Sequence, residues 1–329
     1  MWTIEPEQIW KKARRPGISG FMRLKNEAEF LDRAVETHIG GLDELVMVHN
    51  DCSDETPEIC RRWARKFPEK IKVVEYEPKV VPLFTPESRA IGARSPHSFA
   101  NFSNFALSRT NCEIVVTIDG DHLAVASRFR RICERVRRDL PPGRRYPIYG
   151  LNITRDNSEI VVYNYYDYSP RFTGDRFKKI GPPPFTAGEH TFYHVDAACC
   201  YTVDPVEGNE VIDLASKPRF QGAPLTYCFF HLKGMKADRG TGNWDAGGLG
   251  EGHLREAWVA NVFAGDLAHL ATVEAMRRHN PLYFRGVSLY KELHEAFPTI
   301  PVRMPTGGAV PRRGLRDRLA DLWYRIAYP

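Results

Sequence analysis

Two carboxylates two residues apart, Asp119 and Asp121, follow the apolar run Ile114-Val115-Val116-Thr117-Ile118, and His122 comes directly after them. A short unbroken apolar run of this kind reads as a buried strand, so both acids stand at a strand's carboxyl end. Carboxylates placed there can hold a hard divalent cation, Mn2+ or Mg2+, and such an ion can clamp a diphosphate. Gly120 between them lets the backbone turn sharply. Acids that merely cap a turn would look the same, so the pair takes its meaning from its neighbours.

The elements that must position these acids alternate in type. Residues 17–22 read as a strand, and residues 27–37 as an amphipathic helix with Ala28, Leu31, Ala34 and Val35 on one face. Residues 44–49 form a second strand that ends in the polar turn Asn50-Asp51-Cys52-Ser53-Asp54. A helix starts at Thr56-Pro57-Glu58, with proline inside its first turn, and runs to about residue 66. Residues 71–76 are a third strand. After a proline-interrupted loop, 78–96, residues 98–108 read as a helix leading into the strand 113–118.

This rhythm predicts an α/β fold with a mostly parallel sheet, right-handed crossovers and helices on both faces. In such sheets ligands bind beyond the carboxyl ends of the strands, which places the chemistry just after residues 22, 49, 76 and 118. The second half is mixed. A basic helix is expected over 127–139, strands over 149–168, 191–203 and 224–232, and helices over 253–279 and 286–296. The reading is one domain over 1–297, with a front half at about 17–125 and a rear half at about 126–297. A Pro/Gly-rich linker, 298–314, then leads to an amphipathic C-terminal helix, 315–326.

Four segments in order carry a resemblance. They are the first strand running into Arg23-Leu24-Lys25-Asn26-Glu27, the turn from Val48 to Thr56, Asn104-Phe105-Ala106-Leu107, and Asp119-Gly120-Asp121. Together they resemble the family 2 glycosyltransferases with the GT-A fold, which use nucleotide sugars and carry an Asp-x-Asp motif. The resemblance covers roughly residues 17–125. It implies that Arg23, Asn26, Glu27, Asn50, Asp54 and Asp119 line the nucleotide-sugar site, and that Asp119 and Asp121 hold the metal. His49 and Asn50 stand where that family often has two acids.

In the rear half, Phe229-Phe230-His231-Leu232-Lys233-Gly234 is similar to a segment of several GT-A branches. There it lines the diphosphate site, which implies His231 as a third metal ligand and Lys233 as a phosphate contact. Mn2+ tolerates mixed oxygen and nitrogen coordination, so a neutral imidazole can complete a carboxylate set. An inverting transfer also needs a carboxylate base near the acceptor hydroxyl. Glu189 is favoured, ahead of Asp213 and Glu210 in the loop after Pro205. Asp196 falls inside the expected strand 191–203, where an unpaired charge is costly. The glycine-rich stretch 239–250 could close over the donor as a lid with Trp244 against the sugar ring; a flexible linker is the alternative.

The resemblance implies a UDP-linked donor, a hexosyltransferase type of activity and a glycan or lipid-linked acceptor, as in polysaccharide biosynthesis. The alternative is a non-catalytic nucleotide- or sugar-binding protein on a degenerate GT-A scaffold.

Bulk properties agree with a globular enzyme. The 329 residues are 43% hydrophobic and 26% charged, with 25 glycines and 24 prolines, which excludes collagenous and wholly disordered classes. No run approaches the roughly 18 apolar residues that a membrane span needs. Seven cysteines without paired Cys-x-x-Cys spacing point to reduced thiols rather than a zinc site. The start of the chain does not read as a secretory signal, and a cytoplasmic location is expected. The C-terminal stripe Leu315, Leu319, Leu322, Trp323, Ile326 with flanking arginines would suit peripheral contact with the inner face of a membrane. No nucleic-acid-binding motif is present.

Overall fold

In chain order, the computed structural model carries α1 (Glu7–Trp10), β1 (Arg15–Leu24), α2 (Ala28–Ile39), β2 (Glu44–His49), α3 (Thr56–Lys66), β3 (Ile71–Glu75), α4 (Pro86–Ala90), α5 (Phe99–Ser108), β4 (Cys112–Thr117), β5 (His122–Ala124) and α6 (Ala126–Asp139). There follow β6 (Arg145–Asp156), β7 (Glu159–Tyr163), β8 (His190–His194), β9 (Tyr201–Val203), β10 (Glu210–Ile212), β11 (Tyr227–Gly234) and α7 (Leu289–Ala296). The structure describes residues 2–83, 85–156, 159–163, 190–205, 208–214, 216–220, 227–234 and 289–297. These divide into two units, one holding Met1–Pro147 and His190–Phe220, the other holding the remainder.

In the first unit β3, β2, β1 and β4 pair in parallel in that order, and β8 adds antiparallel to β4. Their near-continuous apolar runs fit a sheet covered on both faces. Phe21, Val46, Val48, Val115 and Tyr193 pack with Phe102, Phe105 and Ala106 of α5 on one side. Period-2 alternation turns Phe192 to the other side. There it meets Phe129 of α6 at 6.0 Å between ring centroids, and Phe129 in turn meets His38 of α2 at 4.7 Å. The expected α/β sheet with helices on both faces is therefore present.

Local chemistry explains the helix starts. Ser98 caps α5 by accepting the Ala100 N–H at 3.2 Å, and α3 carries proline in its first turn. The N-cap side chain of α2, Glu27, makes no cap bond; Asp54 Oδ2 instead accepts the Ala28 N–H at 2.9 Å. The polar turn after β2 thus caps the helix after β1.

Three expectations need correction. Residues 191–203 are not one strand: β8 and β9 are separated by a turn. Asp196 sits in that turn, where its Oδ1 accepts the Ala198 N–H at 3.0 Å and its carboxylate pairs with the buried Lys217. The chain leaves the ladder at the acid that a strand would have had to bury. Glu210 lies on a strand, β10, paired antiparallel with β9, rather than in a loop. The loop 78–96 contains α4, begun by a reciprocal capping box between Thr85 and Ser88.

In the second unit β6 pairs antiparallel with β7 and parallel with β11. Gly150 lies opposite Phe229, whose ring occupies the space a Cβ there would need. The Tyr227 hydroxyl donates to Glu292 of α7, and Phe230 lies 6.4 Å from Phe297. Glu189, the glycine-rich stretch 239–250, the helix expected over 253–279, the linker and the C-terminal helix lie outside the described residues. All seven cysteines are free thiols. Among the described residues no helix is long and apolar enough to cross a membrane.

Candidate metal centre

The β1–β4 ladder extends to Ile118, whose N–H donates to the Phe21 carbonyl at 3.0 Å. The next residues form a turn closed by the His122 N–H on the Asp119 carbonyl at 3.2 Å. Gly120 has no positive φ. Its place is fixed by close approach, since a Cβ would come within 2.8 Å of Glu27 Cγ and 3.0 Å of Leu24 Cδ2. The turn is thereby pressed against the end of β1. Beyond it, the Ala124 N–H donates to Thr37 Oγ1 of α2 at 3.1 Å, which steadies β5 and His122 at its start.

Asp119 is the centre of a polar cluster. Its Oδ2 lies 3.6 Å from His122 Nε2 and 3.6 Å from His190 Nε2, and the two imidazole rings stand edge-on 4.5 Å apart. Its Oδ1 faces Arg23 Nη2 at 3.3 Å. About a third of the Asp119 side chain, 35%, is exposed, so the cluster is open to a ligand from one side. Loss of water around Asp119 favours its neutral form, but His190, His122 and Arg23 outweigh this and hold the carboxyl well below the usual range. Asp119, His122 and His190 form a group whose ligand atoms could hold one metal ion. Asp121 is buried, with Oδ1 4.0 Å from His122 Nε2.

Arg23 is expected from sequence to contact the nucleotide. Its guanidinium spans from Asp119 to Glu210, with Nη1 2.5 Å from Glu210 Oε1 and 2.8 Å from Ser103 Oγ. It lies between the rings of Phe99 and Tyr201, 5.1 and 5.9 Å from their centroids. Burial works against its charge, yet Glu210 and then Asp119 raise its pKa above the ordinary arginine value. Burial pushes the Glu210 carboxyl up while Arg23 opposes this. Tyr201 is itself clamped by Asn104, which bonds both its N–H (2.7 Å) and its carbonyl (2.9 Å). That gives Asn104 of the Asn-x-Ala-Leu segment a physical role.

The other expected nucleotide residues gather at the ends of β1 and β2. Asn26 adopts φ 53° and Asp51 φ 46°, a left-handed conformation that Asn and Asp tolerate better than other side chains. Asn26 Oδ1 accepts the Ser53 N–H at 2.8 Å. Buried Asn50 donates to the carbonyls of Tyr76 (2.6 Å) and Pro78 (2.8 Å) and accepts from the Val80 N–H at 3.2 Å. Asp54 Oδ1 accepts the Thr56 N–H at 3.0 Å, in addition to its cap on α2. The Glu27 N–H donates to Thr56 Oγ1 at 2.7 Å. Asp213 is exposed just after β10; His231 is half-buried on β11 and Lys233 lies on the same strand, both in the second unit.

Sequence reading did not identify His122 and His190 as partners of Asp119. His122 adjoins the acid pair and could have been weighed on residue type. His190 is brought in by the antiparallel register of β8 on β4, Val115 opposite Tyr193, which carried on puts it level with Ile118. No periodicity announces that.

No family model matches the chain, and no curated protein matches it. Among solved structures it is similar to glucosyl-3-phosphoglycerate synthase of Mycobacterium tuberculosis in complex with Mn2+, UDP and phosphoglyceric acid. The identity is 14% over 53% of this chain and 54% of that one, with a TM-score of 0.31. It is also similar to S. aureus TarS, 13% identical over 85% of this chain and 47% of that one, with a TM-score of 0.34. The chain spans about half the length of these structures. At TM-scores this low the likeness does not bear on what this chain does, which rests on its own residues.

Proposed function

We propose that the protein is a metal-dependent glycosyltransferase with a GT-A fold. It moves a sugar, a hexose, from a nucleoside diphosphate, UDP before others, to a hydroxyl of a glycan or lipid-linked acceptor, with inversion. One observation carries the reading. Asp119, open on one side and gathered with two imidazoles, stands beyond the carboxyl end of β4 beside the polar ends of β1 and β2. That is where an α/β sheet binds ligands.

A divalent ion bound there supplies Lewis-acid charge to a departing diphosphate. Asp119 would hold it, with Asp121 and His231 as further ligands on the sequence resemblance. Arg23 donates to Asp119 Oδ1 and fixes the direction of its carboxylate. The segments at Asn26–Glu27 and Asn50–Asp54 would form the wall against base and ribose, and Lys233 would meet a phosphate. Glu189 is the preferred base for the acceptor hydroxyl and Asp213 the second choice. Asp213 is exposed just after β10, whereas Glu210 pairs with Arg23. The site of action is cytoplasmic, with peripheral contact at the inner face of a membrane.

The experiment is a thermal-shift titration with UDP, GDP and CDP, each with and without Mn2+, on wild type, Asp119→Ala and Asp121→Ala. A ligand at a hundred times its Kd adds about 2.7 kcal/mol of stability. UDP stabilisation that needs metal and is lost in either variant supports the transferase. Stabilisation without metal, unchanged in both variants, favours the non-catalytic binding protein. No stabilisation by any nucleotide overturns both.

A further inference from the structure

The sequence points to Mn2+ or Mg2+ on Asp119, Asp121 and His231, whereas the groups gathered around Asp119 are two other imidazoles, His122 and His190. Asp119 Oδ2 stands 3.6 Å from both His122 Nε2 and His190 Nε2. That separation is the same for both imidazoles. It is close to what two ligands of one ion require, since metal bonds of about 2.0–2.2 Å put neighbouring donor atoms about 3.0–3.4 Å apart. All three ligand atoms lie within 4.8 Å of one another. The imidazole rings meet edge to face, at an interplanar angle of 80°, and do not stack.

The surroundings hold this set in place. His122 begins β5, whose Ala124 N–H is tied to Thr37 of α2. His190 begins β8 on the edge of β4. Arg23 takes Asp119 Oδ1, which leaves Oδ2 to face the histidines and makes a one-oxygen ligand of the carboxylate. His122 is almost fully buried and His190 is 12% exposed, whereas Asp119 keeps open surface. The open side leaves coordination positions for water or a ligand.

We infer that Asp119, His122 and His190 form a two-histidine, one-carboxylate site that takes a first-row transition ion and discriminates against Mg2+ and Ca2+. Mg2+ and Ca2+ favour oxygen ligands and gain little from imidazole, and Mg2+ gives up its water reluctantly. Imidazole suits Co2+, Ni2+ and Zn2+, with Mn2+ the weakest of that series. The inference rests on the transferase reading only for the use made of the ion. Ion binding is measured without nucleotide, so a failure of one does not pass for a failure of the other.

The test is calorimetric titration of the chelator-stripped full chain with Mg2+, Mn2+, Co2+ and Zn2+, without nucleotide. The variants are His190→Ala, His190→Gln and His231→Ala, each checked for fold by circular dichroism. One Co2+ or Zn2+ should bind at least tenfold more tightly than Mg2+. Both His190 variants should weaken Co2+ by about a hundredfold, the upper end of what even an outer-shell change costs a metal site. Pulsed EPR of Cu2+ bound to the wild type needs no variant and should count two imidazole nitrogens. Mg2+ binding as tight as Co2+ overturns the inference. So does Co2+ affinity lost in His231→Ala but kept in the His190 variants, or fewer than two imidazoles on Cu2+.

Discussion

Two polar clusters stand at the carboxyl ends of the same parallel strands, and they are built in opposite ways. At the ends of β1 and β2, Asn26, Asn50 and Asp54 turn their side chains onto backbone groups: a turn, a loop and the first turns of two helices. At the end of β4, Asp119, His122, His190, Arg23 and Glu210 turn side chain toward side chain. The first arrangement fixes the backbone and can present N–H and C=O groups to a ligand. The second concentrates charge in a half-closed space, which is the arrangement needed to bind an ion. Residues that look alike in sequence, polar and next to a strand end, thus bond to backbone in one place and to other side chains in the other.

The largest effect that would sharpen this contrast comes from Arg23→Met, which leaves Glu210 buried beside no cation. Breaking a buried pair from one side costs about 3–5 kcal/mol, so urea unfolding should show a loss of that size. Adding Glu210→Gln should recover part of it. A loss below about 1 kcal/mol would mean the pair is solvated and the second cluster is not the closed charge network described here.

His38, on the last turn of α2 and away from the cap that Asp54 makes at its start, responds to pH. It is buried on α2, donates from Nδ1 to the Ala34 carbonyl at 2.8 Å, and burial pushes its pKa down to about 4. The unfolded chain titrates near 6.5. Between those values the unfolded state binds the proton and the folded state does not. The stability from neutral His38 is therefore fully present above pH 6.5 and is lost as pH falls toward 4, by about 3 kcal/mol in all. His38→Leu should flatten that part of the stability–pH profile of the metal-free protein. An unchanged slope would assign the acid sensitivity to other groups.

Asn50→Ala probes the frame. It removes one donor group and one acceptor that serve three backbone partners in a buried place, and a loss of about 2 kcal/mol is expected. If Asn50 is frame alone, nucleotide affinity should change little in protein that remains folded. A tenfold or larger loss of affinity would move it into the site. The smallest effect is expected at Lys25→Ala, which breaks the exposed ion pair to Asp51; such pairs contribute about 0.2–1 kcal/mol. A larger loss by chemical denaturation would show that the left-handed turn at Asp51 depends on that charge.

Much of the fold was legible because it is written locally. Unbroken apolar runs at β1, β2 and β4, helical stripes between them and a proline or serine at the helix starts place the parallel sheet without knowledge of distant contacts. The same locality misled at residues 191–203, where apolar residues continue through a turn that Asp196 holds by accepting the Ala198 N–H and pairing with Lys217. It was silent at β10, a three-residue strand that exists because β9 lies beside it. Residues of the frame were recognised by type and order, but their backbone partners were not.

The sequence by itself determined the order of β1 to β4 with α2, α3 and α5 between them, and put Asp119 and Asp121 beyond the carboxyl end of a buried strand, since both follow from periodicity and residue type over a few neighbours. Only the tertiary structure decided what surrounds Asp119. Arg23 and Glu210 meet although 187 residues separate them, and His190 arrives through the register of an antiparallel strand. Charge and coordination act through space over a few ångströms, whereas sequence patterning reports only neighbours along the chain.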